Sequence, residues 1–185
     1  SAAARLAAEA FAEVDSIAIA ALFDPRDVVG PTTAADPEML IARALIRQDG
    51  AWTWLNGMEH PRMVRIGEEE LPAFPSALLD APGLAAATSA SNIRVDLTQG
   101  DSLGTRGGKG ASSDAYIDIE GTLKSGEHAT RRIVMSDPNG LANLTALGVV
   151  IAAERVLGLD GKAAPAGGLY MPETLLVADE AVARL

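Results

Sequence analysis

The chain has 185 residues, 48% hydrophobic and 22% charged, enough to bury a single core without metal or disulfide staples and too apolar for a disordered segment. Fifteen basic residues against twenty-five acidic ones leave a net charge of −10, which repels polyphosphates and excludes nucleic acid as the expected partner. The absence of cysteine excludes disulfides, thiolate metal sites and thiol catalysis, and suits a reducing, cytoplasmic location.

Taken in chain order, Leu6, Ala10 and Val14 recur every four residues with Phe11 beside them, and this spacing predicts an opening amphipathic helix. SIAIAALF (16–23) predicts a buried strand stopped by Asp24-Pro25. Asp36-Pro37-Glu38 supplies a cap, a first-turn proline and an acid that suits the helix dipole, so MLIARALI is predicted helical as far as Asp49-Gly50. AWTWLNG and RMVRIG alternate in polarity and predict antiparallel strands, the first with Trp52 and Trp54 on one face. Glu68, Glu69 and Glu70 read as a solvated loop.

FPSALLDAPGL reads as a helix broken by Pro82-Gly83, and NIRVDLTQ (92–99) as a half-exposed strand with Ile93, Val95 and Leu97 inward. In AYIDIEGTLKSGEHATRRIVM, Ile117, Ile119 and Leu123 line one face and Lys124-Ser125-Gly126-Glu127 supplies a turn, which predicts a hairpin. Asp137-Pro138 opens a helix over about 141–157 that is apolar nearly all round, predicting burial against the sheet. A short helix in VADEAVARL ends the chain.

The longest apolar run, LTALGVVIAA, falls short of the roughly 18 residues a bilayer span needs, so no membrane association is expected. No secretory signal is read at the start of the sequence, and a first residue other than Met points either to an added Ser1 or to a piece of something longer. Strands of antiparallel character with helices at the beginning, middle and end argue for a single α+β domain over 1–185.

The segment LGTRGGKGASSD looks at first like a phosphate-cradling loop. It fails the G-x-x-x-x-G-K-[ST] pattern, because the fifth residue after Gly104 is Lys109 and Lys109 is followed by Gly110. It also joins two strands, so it reads as a mobile loop, or as a lid whose Arg106 and Lys109 touch an anion. The G-x-G-x-x-G dinucleotide fingerprint is missing throughout. His60 and His128 are far apart in sequence and read as surface residues, leaving no metal-ligand pattern. Asp118 and Glu120 read as ordinary strand carboxylates, Arg131 and Arg132 point to opposite faces, and no serine sits in a nucleophile elbow. No catalytic residue is assigned.

From YIDIEGTLKSGEHATRRIVMSDP through NGLANLTALGVVIAAERVLGLDG to KAAPAGGLYMPETLL the chain resembles the C-terminal part of the saccharopine dehydrogenase (reductase)-like oxidoreductases. The residues that carry the resemblance are Gly121, Gly126, Thr145-Ala146, Gly158, Gly161, Gly167-Gly168 and Pro172-Glu173, in that order. RQDGAWTWL and LPAFPSALLDAPGLAAATSASNIRVDL fit earlier parts of the family, so the resemblance spans most of residues 25–185.

The resemblance implies a second domain of such an enzyme: α+β, with a mixed, largely antiparallel sheet covered by helices. It also implies an N-terminal Rossmann domain, absent from this chain, that would bind NAD(P) for the parent protein. This chain would itself hold no cofactor, would bind a small-molecule substrate and would form a homodimer, without being catalytic alone. Candidate substrate contacts are Trp54, Arg94, Arg106 and Arg132, at outward or loop positions. The alternative is a non-enzymatic binding or assembly module that has lost the nucleotide half.

Overall fold

A computed structural model describes residues 1–31 and 37–184. At its centre, β1 (Phe11–Phe23) lies between β6 (Asn92–Gln99) and β7 (Ser113–Leu123). β6 runs parallel to β1 with Ile17 beside Ile93, and β7 runs antiparallel with Ile17 opposite Ile119. β8 (His128–Asp137) completes the predicted hairpin with β7 and forms one edge of the sheet. Its turn places Gly126 at φ 89°, a conformation that favours glycine.

The free edge of β6 is shared by two hairpins. β2 (Ala44–Gln48) meets it at Arg47 opposite Ile93 and carries β3 (Ala51–Leu55) as the outer strand. Further along, β5 (Glu69–Pro75) pairs with β6 from Ala73 opposite Thr98 to Pro75 opposite Asp96, and carries β4 (Arg62–Ile66). Among the described residues only the β1–β6 pair is parallel, so the eight-stranded sheet is mixed and largely antiparallel, as expected.

One face of the sheet carries the main core. Ile17, Ile19, Ile93, Val95, Ile117 and Ile119 pack under Ala4 and Ala8 of α1 (Ala2–Ala8) and Ala81 and Leu84 of α3 (Asp80–Ala87). Each of the six strand side chains contributes about 1.5–3 kcal/mol on burial, before the entropy of ordering it. Alanine on the helices lets them sit close to the β-branched sheet, which explains a core containing so little aromatic area. On the second face the β4–β5 hairpin curls over one end, and Val64, Ile66 and Ala73 pack on Ala20, Leu22 and Tyr116.

Several elements differ from the sequence-based expectation. α1 stops at Ala8, and Phe11 and Val14 belong to β1. Two β-bulges, between Phe11 and Glu13 and between Val14 and Ser16, shift the alternation so that buried residues fall at Phe11, Val14 and Ile17, a spacing that imitates a helix. MLIARALI divides between α2 (Pro37–Ala42) and β2, because pairing with β3 and β6 overrides its helical composition; the Asp36 cap lies outside the described residues. Pro82 and Gly83 do not break α3. They sit in its first turn, where a missing N–H leaves no intrahelical bond unmade.

Glu69 and Glu70 open β5 instead of lying in a loop. β6 is covered on both faces, with Asp96 and Thr98 buried beneath the β4–β5 hairpin. The helix at 141–157 forms as α5 (Gly140–Leu157), but of its residues only Gly140 and Ile151 are buried, while Val149 is 63% and Leu157 65% exposed. α1 and α3 already occupy the first face, and α5 packs on α6 (Pro172–Leu175), α7 (Ala178–Val182) and the end of the β7–β8 hairpin, with its Leu141 N–H donating to Asp27 at 2.8 Å. At 18 residues and a mean hydropathy of 1.5 it is, by length and composition, able to cross a membrane.

Candidate functional site

The glycine-rich segment is held to the sheet by a set of hydrogen bonds at its start. It contains a helical turn, α4 (Leu103–Arg106), capped by Ser102, whose hydroxyl accepts the Thr105 N–H at 3.3 Å. The Ser102 N–H and the Thr105 hydroxyl donate to Asp24 at 2.9 and 2.6 Å. The Leu103 N–H donates to Asp114 at 2.6 Å and the Gly104 N–H to the Ser112 hydroxyl at 2.9 Å. The amides a phosphate would need are therefore already bonded, two of them to buried carboxylates whose charge repels an anion. Burial alone would raise the Asp24 pKa. The Thr105 hydroxyl, the backbone N–H groups of Ser102 and Arg26 and the Ser102 side chain outweigh it and hold the carboxyl well below its usual range.

The second face of the sheet offers a different arrangement. Across its middle, register aligns Arg94 on β6 with Ala18 on β1, Ala18 with Asp118 on β7, and Asp118 with Arg132 on β8. Asp96, fully buried at 0% side-chain exposure, accepts from Arg62 at 2.5 Å and from Arg94 at 2.7 Å. One carboxylate between two guanidiniums leaves a net positive charge, and Arg62 Nη2 is buried with no hydrogen-bond partner among the described residues.

Arg132 grips Asp118 through two bonds of 2.6 and 2.7 Å, and that pairing raises the already high Arg132 pKa. Its third nitrogen donates to the Arg65 carbonyl, tying the edge strand to the overlying hairpin. Beyond this row, register aligns Asn92, Ser16, Glu120 and Thr130, with Ser16 donating to Glu120 at 3.3 Å. The β4–β5 hairpin stops short of them, and Glu120 and Thr130 are exposed. With Ser16 and Ala18 as short side chains at its centre, the uncovered half is a trough bordered by β4, whose Arg62 meets Asp96 and whose Arg65 carbonyl accepts from Arg132.

Arg94 and Arg132, both expected as ligand contacts, thus share one row of this trough. Arg106 lies at its covered end, donating to the Ile66 carbonyl at 3.0 Å, to Glu69 at 2.7 Å and to the Asp101 carbonyl at 2.7 Å. Trp54 does not join them. It stands opposite Leu45, and since Arg47 on the same strand aligns with Ile93, register puts Trp54 and Trp52 on the other face, with the Arg43 guanidinium 4.5 Å above the Trp54 ring. Arg62 and Asp96 were missed in the sequence, where only the R-x-D spacing of Arg94 and Asp96 could have signalled a same-face ion pair. Among the described residues no group of three or more His, Asp or Glu side chains converges as a metal site.

The sequence matches no protein-family model and no curated protein. In structure the chain belongs to a class of α+β domains built on a mixed sheet with helices on one side. It is similar to the apo histidine-tagged saccharopine dehydrogenase (L-Glu forming) from Saccharomyces cerevisiae, with a TM-score of 0.58 and 10% identity, over 98% of this chain and 67% of that one. At that identity the likeness shows the saccharopine dehydrogenase-like fold.

Proposed function

We propose that this chain is the substrate-binding and dimerisation domain of a saccharopine dehydrogenase-like NAD(P)-dependent oxidoreductase and is not catalytic alone. The observation that carries this reading is the half-covered polar trough on the second face of the sheet, with Arg94, Asp118 and Arg132 in one row across it. A floor of paired charges with short side chains at its centre suits one wall of a cleft for a small polar molecule, the other wall coming from a Rossmann domain that holds NAD(P). Arg94, Arg106 and Arg132 are the proposed contacts, acting through bonds they exchange or share with substrate; Trp54, on the opposite face of the sheet, is left out of this set. The parent would work in the cytoplasm, consistent with a chain free of cysteine.

Titration with NADPH tests the division of labour. The 185-residue chain should give no saturable fluorescence change at micromolar cofactor, because the amides that open α4 are already bonded to Asp24, Asp114 and Ser112. Saturable binding in that range would show that the chain carries its own nucleotide site and would remove the reading.

A further inference from the structure

We propose that two copies of this chain join along β3, pairing antiparallel about a two-fold axis at Thr53; this names the seam of the dimer proposed above and rests on that reading. β3 reads Ala51-Trp52-Thr53-Trp54-Leu55 and, among the described residues, is the outermost strand at its end of the sheet, with Ala51, Trp52, Thr53 and Trp54 all exposed. The sequence is close to a palindrome about its middle residue. A two-fold axis through Thr53 sets Trp52 of one copy opposite Trp54 of the other, twice, with Ala51 opposite Leu55 and Thr53 opposite Thr53. Aromatic pairs and threonine pairs are among the cross-strand partners that stabilise an antiparallel ladder.

The chain has only two tryptophans, and both are on this edge, 45% and 54% exposed. Each indole offers about 200 Å² for burial, so the half still free on each of four contributes about 400 Å² to the seam. Backbone ladder bonds and the flanking Arg43, Arg47 and Leu55 side chains add to this. The total falls at the small end of specific interfaces, so association should be in the range of about 10 μM. No charged residue lies on β3 itself, so an acidic molecule meets no like charge at the axis. Arg43, already stacked on Trp54, would cover the indole pair from outside.

The opposite edge is a poorer seam. β8 carries Arg131 and Arg132 at adjacent positions, which puts a cation on each face of the strand and guards it against pairing.

Sedimentation velocity on the full chain from about 1 to 200 μM, with far-ultraviolet CD at the same concentrations, tests the seam. The wild type should pass from monomer to dimer and develop an exciton band from the paired indoles. Thr53→Lys sets two ammonium groups face to face and should weaken association at least tenfold, and Trp52→Ala should abolish the band, while Thr53→Ser keeps the dimer. Melting curves at low concentration check that each variant folds; if Thr53→Lys does not, Trp52→Ala decides alone. A dimer untouched by these variants would overturn the β3 seam and leave the dimer reading standing. A wild type that stays monomeric at 200 μM would overturn both.

Discussion

Asp24 and Thr105 are 81 positions apart in sequence, yet the Thr105 hydroxyl donates to the Asp24 carboxylate at 2.6 Å. That bond and the Ser102 N–H on the same oxygen pin the 100–114 segment to the end of β1. Replacing Asp24 with Asn keeps the shape and removes the charge, and should cost about 3 kcal/mol in urea denaturation at pH 7.

The loss should depend on pH in one direction. The folded-state pKa of Asp24 is depressed, so its stabilisation is complete above the unfolded value near ~3.9 and is lost as pH falls below it. The gap between wild type and Asp24→Asn should therefore be constant from pH 7 to 5 and narrow on going to pH 3. A gap that widens on acidification would mean that Asp24 is not held as an anion.

Asp96 offers a test of the trough's electrostatics. Asp96→Ala leaves Arg62 and Arg94, only 23% and 26% exposed, facing each other without their counter-ion. It should cost about 3–5 kcal/mol, against about 1–2 for Arg94→Ala, which leaves Asp96 its bond to Arg62. Chemical denaturation of both variants and the double mutant measures this, and the pair should be markedly non-additive.

The exposed face of α5 should behave as surface. Val149→Lys and Leu157→Lys together should move the melting temperature by no more than about 2–3 °C and lower the binding of a hydrophobic dye. A fall of more than about 8 °C would show that this helix is packed in the folded chain.

Much of the architecture could be read from local sequence, and the exceptions share a cause. The β7–β8 hairpin was legible because Ile117, Ile119 and Leu123 alternate without interruption around a Gly126 turn. β6 was legible as a strand, but not as a covered one, since the hairpin over Asp96 comes from twenty and more residues upstream. The start of β1 was disguised by its bulges, and β2 by helix-forming residues whose state is set by partners on β3 and β6. In the site, Arg94 and Arg132 were recognisable as outward residues of strands. Nothing near them in sequence announces that Arg94 and Asp118 share a row across β1, because that row exists only once three strands are assembled.

The parallel pairing of β1 with β6 also has a consequence for biosynthesis. β1 is synthesised well before either of its partners, so Ser16 must wait for Asn92 and Ile17 for Ile93 before either has a neighbour. At about 5–20 residues per second, this apolar ribbon stays unpaired for on the order of ten seconds. Its folding is thus slow by topology, and in that interval Ile17, Ile19 and Leu22 form the stretch of the nascent polypeptide that chaperones would be expected to shelter.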